Sequence, residues 1–251
     1  MLKNGAFTEG WTDLPPAPGN LINQQPKGWQ LSWVEPGQVL YDSNDKAGGV
    51  PECVHKLARQ LPPNEQRGAK DALILVGDAT YKIFHFGAPF AAELKQTVTG
   101  LKPGSKARLT VPILAVLYSE TDPYGAESGV WVNGEGEWAT GGRMGDRKWF
   151  QHVREFTVPQ NGAADIVIRV KSKWPRKKDF FIDGVELEAV SQAGGDSGIG
   201  GDDSPGPSIP TPGRSVVKVA VPQGMRVVTA VSNEPGLVVV MIPKGTHVET
   251  E

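Results

Sequence analysis

The 251-residue chain has a single cysteine, Cys53, which excludes an internal disulfide and any all-cysteine metal site. It also lacks an apolar run of ~18 residues, so no segment reads as a membrane-spanning helix. The first thirty residues hold Trp11, Asp13, three prolines by position 18 and several amides, which is not the pattern of a signal peptide. Excess charge of one sign is missing too. With 26 Lys and Arg against 28 Asp and Glu, the formal net charge of -2 argues against a dedicated nucleic-acid binder. The four histidines, His55, His85, His152 and His247, are scattered without a His-x-x-x-His pair. No Gly-x-Ser-x-Gly elbow, phosphate loop or dinucleotide fingerprint is present, so the chain reads as non-catalytic.

What the chain has in plenty is punctuation. Its 31 glycines and 21 prolines leave little room for long helices and favour short strands joined by turns. Residues 192–213, QAGGDSGIGGDDSPGPSIPTPG, hold almost no apolar anchors and read as a linker. The chain thus divides into a large domain at 1–191, the linker, and a short module at 214–251.

Strand patterns fill the large domain: 29–35, 72–76, 81–86, 92–97, 107–118, 129–133, 149–158, 164–171 and 180–190. In 107–118, Leu109, Val111, Ile113, Ala115 and Leu117 share one face while Leu114 and Val116 hold the other, as in a strand buried on both sides. In 149–158, Phe150, His152, Arg154, Phe156 and Val158 alternate with wetter positions. The one segment expected to be helical is Val54–Gln60, ended by Pro62-Pro63. Many strands with no intervening helices point to an all-β sandwich. The tail offers three more strands, in VVKVAVP, RVVTAVS and LVVVMIP. Thirty-eight residues seldom build an independent core, so 214–251 is expected to dock on the large domain, to form part of a larger module, or, the reading preferred here, to self-associate into a homo-oligomer.

Three stretches, in order, resemble the jelly-roll carbohydrate-binding modules of the family 4/9/22 type, within the galactose-binding-like sandwiches. They are NGAFTEGW with PKGWQLSW, then YKIFHFGAPFAAELKQTVTGLKPGSKARLTV, and finally REFTVPQNGAADIVIRVKSKW with DFFIDGVELEAV. The resemblance covers most of 1–190 and leaves 36–71 unmatched. It implies a jelly-roll β-sandwich that binds a polysaccharide or cell-surface glycan without covalent chemistry, on an extracellular or cell-surface protein. A structural or assembly role, as in an appendage or virion component, is the rival reading, and an accessory region of a cell-wall hydrolase is a third. The resemblance also implies a structural Ca²⁺ between the first and last strands, at Glu9 and Asp183. Asp183 can equally cap a turn.

Sugars present flat C–H faces and equatorial hydroxyls, so their sites combine aromatic rings with carboxylates, amides and arginine. The densest such stretch is 118–149, with Tyr124, Glu127, Trp131, Trp138, Arg143 and Trp149 as candidate ligand-binding residues. Trp131, between Val130 and Val132, also suits a core strand. Trp138, among glycines, is expected on an exposed loop as a stacking platform. His85 is a further candidate from the 81–86 strand. The basic run Lys171–Lys178 around Trp174 suits either an anionic polymer or a turn whose Trp174 covers the sandwich end.

Overall fold

The computed structural model describes residues 1–190 apart from Asn20, together with four short tail strands. The linker at 192–213 lies outside the described residues. The chain forms two compact units, Met1–Gly195 and Asp196–Glu251.

The larger unit is the expected antiparallel sandwich. In chain order its elements are β1 (Trp11–Asp13), β2 (Gln24–Pro26), β3 (Gln30–Trp33), β4 (Glu52–Leu57), β5 (Ala79–His85), β6 (Phe90–Val98), β7 (Lys106–Val116), β8 (Ala126–Val132), β9 (Glu135–Thr140), the one-turn helix α1 (Gly141–Met144), β10 (Trp149–Thr157), β11 (Ala164–Ser172), β12 (Lys178–Ile182) and β13 (Glu186–Ala189). A five-stranded sheet runs β3-β6-β11-β8-β9. The facing six-stranded sheet runs β10-β7-β12-β5-β4, with β13 extending the pairing of β7. The small β1-β2 ribbon is a separate sheet held against the six-stranded one, where Trp11 stacks on His55 and Tyr81 donates its hydroxyl to the Gln24 carbonyl.

Alternation along each strand places the core. Tyr81 and Ile83 of β5, Leu94 of β6, Leu109, Val111 and Ile113 of β7, Ile166 and Ile168 of β11 and Phe180 of β12 all turn inward and are essentially solvent-free. Phe7 stacks on Tyr81 with ring centres 5.4 Å apart and on Trp29 at 6.0 Å, tying the N-terminal segment to the same core. Each such side chain withdrawn from water contributes about 1.5–3 kcal/mol. As expected, β7 is buried on both sides. Its outward Leu114 and Val116 pack with Phe181 and with Leu73, contributed by the loop that follows β4.

The stretch from 36 to 76 roofs both sheets. Leu40 and Tyr41 pack on Val34 and Ala91, outside the five-stranded sheet, whereas Leu61 and Leu73 cover the other sheet. Within it the expected helix at 54–60 is instead β4, followed by a single 3-10 turn at Ala58–Gln60. Seven residues form too few internal hydrogen bonds to hold a helix alone, and β5 offers a six-residue ladder instead. The expected strand at 72–76 is not one. Those residues cross the end of the sandwich, where the amides of Leu75 and Val76 donate to the Asp183 carboxylate. The single strand read at 180–190 is broken by Asp183-Gly184, with Gly184 in the left-handed region at φ +68°.

The smaller unit pairs β14 (Val217–Val219) with β17 (Val248–Thr250), and β15 (Thr229–Val231) with β16 (Val238–Val240), all antiparallel. The fourth of these strands, β17, carries no signal used in the sequence reading.

Candidate functional site

The outer face of the five-stranded sheet concentrates the aromatic and charged side chains. The hairpin β8-β9 explains how. Its Asn133-Gly134 turn has both residues at positive φ, the conformation favoured in two-residue hairpins, and so fixes the register across the pair. Trp131 lies directly opposite Gly136, and Gly129 directly opposite Trp138. A β-carbon at either glycine would fall inside the Trp131 indole, so the ring lies flat over a stretch of bare backbone. Trp138 meets it edge-on, with centroids 4.9 Å apart. The sequence placed Trp138 on a loop; it sits instead on the edge strand β9, half-buried.

Next to the hairpin, β11 sends Asp165, Val167, Arg169 and Lys171 to the same face. The Arg169 guanidinium carbon lies 4.9 Å from the Trp131 ring centre and 4.6 Å from that of Tyr41, so it is shared by two rings. Its Nε donates to Glu93 on β6 at 2.8 Å. Burial pushes the Glu93 carboxyl up, but bonds from Lys95 and Arg169 outweigh that and hold it below the ordinary carboxylate range. Burial, reinforced by the Glu93 charge, raises the Tyr41 phenol to about 12, so it stays a neutral hydroxyl.

Lys171 is almost fully buried here, an uncommon place for an ammonium. Its Nζ donates to the Tyr41 carbonyl at 2.7 Å, pairs with Glu127 at 3.1 Å and lies 3.9 Å from the Trp138 ring centre. Lys173 reaches the same Glu127 oxygen at 3.0 Å. Trp138 Nε1 donates to Asp42 at 2.9 Å. The 41–42 segment is thereby clamped against the sheet by two polar bonds, one from β9 and one from β11. From the other side of Trp131, beginning at its ladder neighbour Val167, a groove of about 550 Å³ runs past Gln30, Lys95, Thr97 and Asp165. Thr97 donates to Asp165 at 2.6 Å, so part of its polar lining is held in place.

Of the residues singled out from sequence, Trp131, Trp138 and Glu127 come together on this face, and Tyr124 stands exposed at its rim with Lys173 5.8 Å from its ring centre. Three do not join them. Arg143 sits on α1 at the sandwich edge, near Glu137 and over Phe150. Trp149 lies outside the six-stranded sheet, its Nε1 bonded to the Ala72 carbonyl. His85 caps its own turn: Nδ1 accepts from the amides of Gly87 and Ala88 at 3.0 and 2.7 Å. The basic run is likewise drawn inward. Lys178 is buried against Glu120, and Trp174 is anchored to Asp122 at the sandwich end. Tyr41, Asp42, Glu93, Lys95 and Arg169 escaped the sequence reading. The alternation of Asp165, Val167, Arg169 and Lys171 was the one available signal for the last of these.

Both members of the expected calcium pair accept bonds from backbone amides. Asp183 is buried and accepts three backbone amides, two at Oδ2 and that of Gly184 at Oδ1, while Glu9 accepts from the Asn4 amide. Burial still lifts Asp183 to about 6 against those three bonds. Among the described residues no three acidic, histidine or cysteine side chains converge. Ser128 Oγ lies 2.8 Å from His152 Nε2 and 2.9 Å from Met144 Sδ, wholly inside the core, where no substrate can reach.

No family model matches the chain, and no curated protein does. Solved structures do. TmCBM61, solved in complex with β-1,4-galactotriose, shares 17% identity at a TM-score of 0.45, over 75% of this chain and 97% of that one. The enzymatically active domain of tailspike protein 4 from bacteriophage CBA120 shares 14% at 0.40, over 65% of this chain and 20% of its own. The CBM22-1 xylan-binding domain of Paenibacillus barcinonensis Xyn10C shares 12% at 0.33, over 75% and 94%.

Proposed function

We propose that the outer face of the five-stranded sheet binds a glycan chain without chemical turnover. The observation that carries this is the Trp131 indole, laid flat over Gly129 and Gly136 on the same sheet face as a polar groove that begins at its ladder neighbour Val167. Glycine is disfavoured inside strands, yet two are placed where any side chain would lift the ring. The ring lies outside the sandwich core, half-buried beside Arg169 and Trp138, and the part it leaves open is the surface for the C–H face of a sugar. The groove beyond supplies amide, hydroxyl, ammonium and carboxylate partners for hydroxyls, and its volume is that of a small-molecule site. Hydrolysis is not proposed, because Glu93 and Glu127 are each held by two cations. Glycoside cleavage needs one carboxyl kept as an acid and its partner free as base or nucleophile.

The test is affinity electrophoresis of the full chain over neutral, acidic and cell-wall polysaccharides, followed by Trp131→Phe and Trp131→Ala. Retardation by at least one polymer, weakened tenfold or more by Trp131→Ala and less by Trp131→Phe at an unchanged melting temperature, is expected. Absence of retardation with every polymer, or equal retardation of all three forms, overturns the proposal.

A further inference from the structure

The opposite sheet carries a second cavity, of about 190 Å³, that the proposed glycan face does not use. It lies outside the six-stranded sheet, over Val116 and Phe181, with Lys56, Lys82, Arg147 and Lys177 around it. Four cations thus face two carboxylates, Glu65 and Asp179. Arg147 is paired with Glu65 at 3.3 Å and Lys82 with Asp179 at 3.1 Å. Lys56 and Lys177 have no carboxylate within ion-pair distance among the described residues. The cavity is therefore net positive, with two ammonium groups that have no ion-pair partner among the described residues.

A second observation is independent of that charge. Asp179 is 3% exposed and lines the cavity. Its Oδ2 is satisfied by Lys82 and by the Tyr118 hydroxyl, which donates at 2.7 Å, but its Oδ1 is buried with no partner among the described residues. A bare acceptor in such a place costs about 1–3 kcal/mol unless something donates to it. Tyr118, at the rim, is itself held at φ +50° with Lys177 4.3 Å from its ring centre. Non-glycine residues in that region need support from their surroundings.

We infer that this cavity binds a small hydroxylated carboxylate of the uronic acid type. Its anionic group meets Lys56 and Lys177, a neighbouring hydroxyl donates to Asp179 Oδ1, and its C–H face rests on Val116 and Phe181. Bare anions supply no donor for Asp179, and neutral sugars leave the two ammonium groups unmatched. The 58–76 loop lines one side of the cavity through Leu61, Glu65 and Leu73, and the volume of about 190 Å³ suits one sugar residue rather than a length of chain.

The experiment is calorimetric titration of the full chain with sodium D-glucuronate, D-glucose and sodium acetate, repeated on Lys56→Gln/Lys177→Gln and on Trp131→Ala. Both altered lysines are partly exposed, so the fold is expected to survive, and a melting curve checks this. Saturable glucuronate binding is expected, at least tenfold tighter than glucose or acetate, weakened tenfold or more in the double variant and by added salt. It should be unchanged in Trp131→Ala, which separates this site from the glycan face. Lack of saturation by glucuronate, acetate binding of equal strength, or binding lost only in Trp131→Ala each overturns the inference.

Discussion

The ion pair between Lys178 and Glu120 offers the sharpest stability test. Lys178 shares the inward face of β12 with Phe180 and Ile182, and its side chain is fully buried. Its Nζ lies 3.2 Å from Glu120, whose side chain is only 5% exposed. Burial lowers the Lys178 pKa from the ordinary lysine value, and Glu120 offsets part of that. Removing Glu120 therefore strands a cation inside the sandwich, at a cost of about 3–5 kcal/mol. For a domain of this size that is a melting temperature lower by roughly 10 °C. The sign with pH follows from linkage. With its folded pKa depressed below the unfolded value, Lys178 makes the unfolded state bind more protons, so stability rises as pH climbs toward that unfolded value near 10.4. Glu120→Ala should then regain stability between pH 7 and pH 10, more than the parent does, in urea unfolding at several pH values. Glu120→Leu/Lys178→Met, which removes both charges, should unfold close to the parent. A loss under 1 kcal/mol in Glu120→Ala, or a double variant as weak as the single, would refute the account of a desolvated pair.

Further outcomes follow from other parts of the molecule. Gly136→Ala places a methyl group where the Trp131 ring lies, and should cost about 1–3 kcal/mol by overpacking while lifting the ring and weakening glycan binding; unaltered melting and unaltered retardation would count against the flat indole. Burial lowers the folded pKa of His55 and His152 to about 4 each, so acidification from about pH 6.5 to 4 should cost roughly 3 kcal/mol per histidine. Asp183, raised to about 6, works in the opposite direction over nearly the same window, so the net loss is about 3 kcal/mol, and flat denaturant midpoints across that range would contradict it. Because the oxygens of Asp183 are taken by amides, EDTA should leave the melting temperature unchanged; a fall reversed by added Ca²⁺ would show the Glu9–Asp183 site expected from sequence. Removing 196–251 should leave the unfolding midpoint of the larger unit in place, and light scattering of both forms tests the self-association expected of the tail.

Much of the architecture could be read from the chain because period-two alternation and turn residues act locally. The two-sided burial of β7 and the one wet face of β10 were legible as patterns of Leu, Val and Ile against Gln and Glu. What alternation could not decide was partnership. Val54–Gln60 has a composition either helix or strand accepts, and the free edge of β5 chose strand. Glu135–Thr140 looked like a glycine-rich loop, because its glycines serve the indole lying on them rather than a turn.

The candidate site divides the same way. Sequence identified Trp131, Trp138 and Glu127 by residue type, since aromatic and acidic density is visible in one dimension. Only the tertiary structure brought Tyr41 and Asp42 over the sheet, 130 and 96 residues away in the chain from the Lys171 and Trp138 that hold them. It also sent Arg143, Trp149 and His85 elsewhere, because the face a side chain occupies depends on strand register and on which sheet the strand joins. The free cations Lys56 and Lys177 and the unpartnered oxygen of Asp179 are likewise products of packing. Local propensity and alternation set the strands and their buried faces; long-range pairing and burial decided which charges meet, which stay unmet, and hence where a ligand can be held.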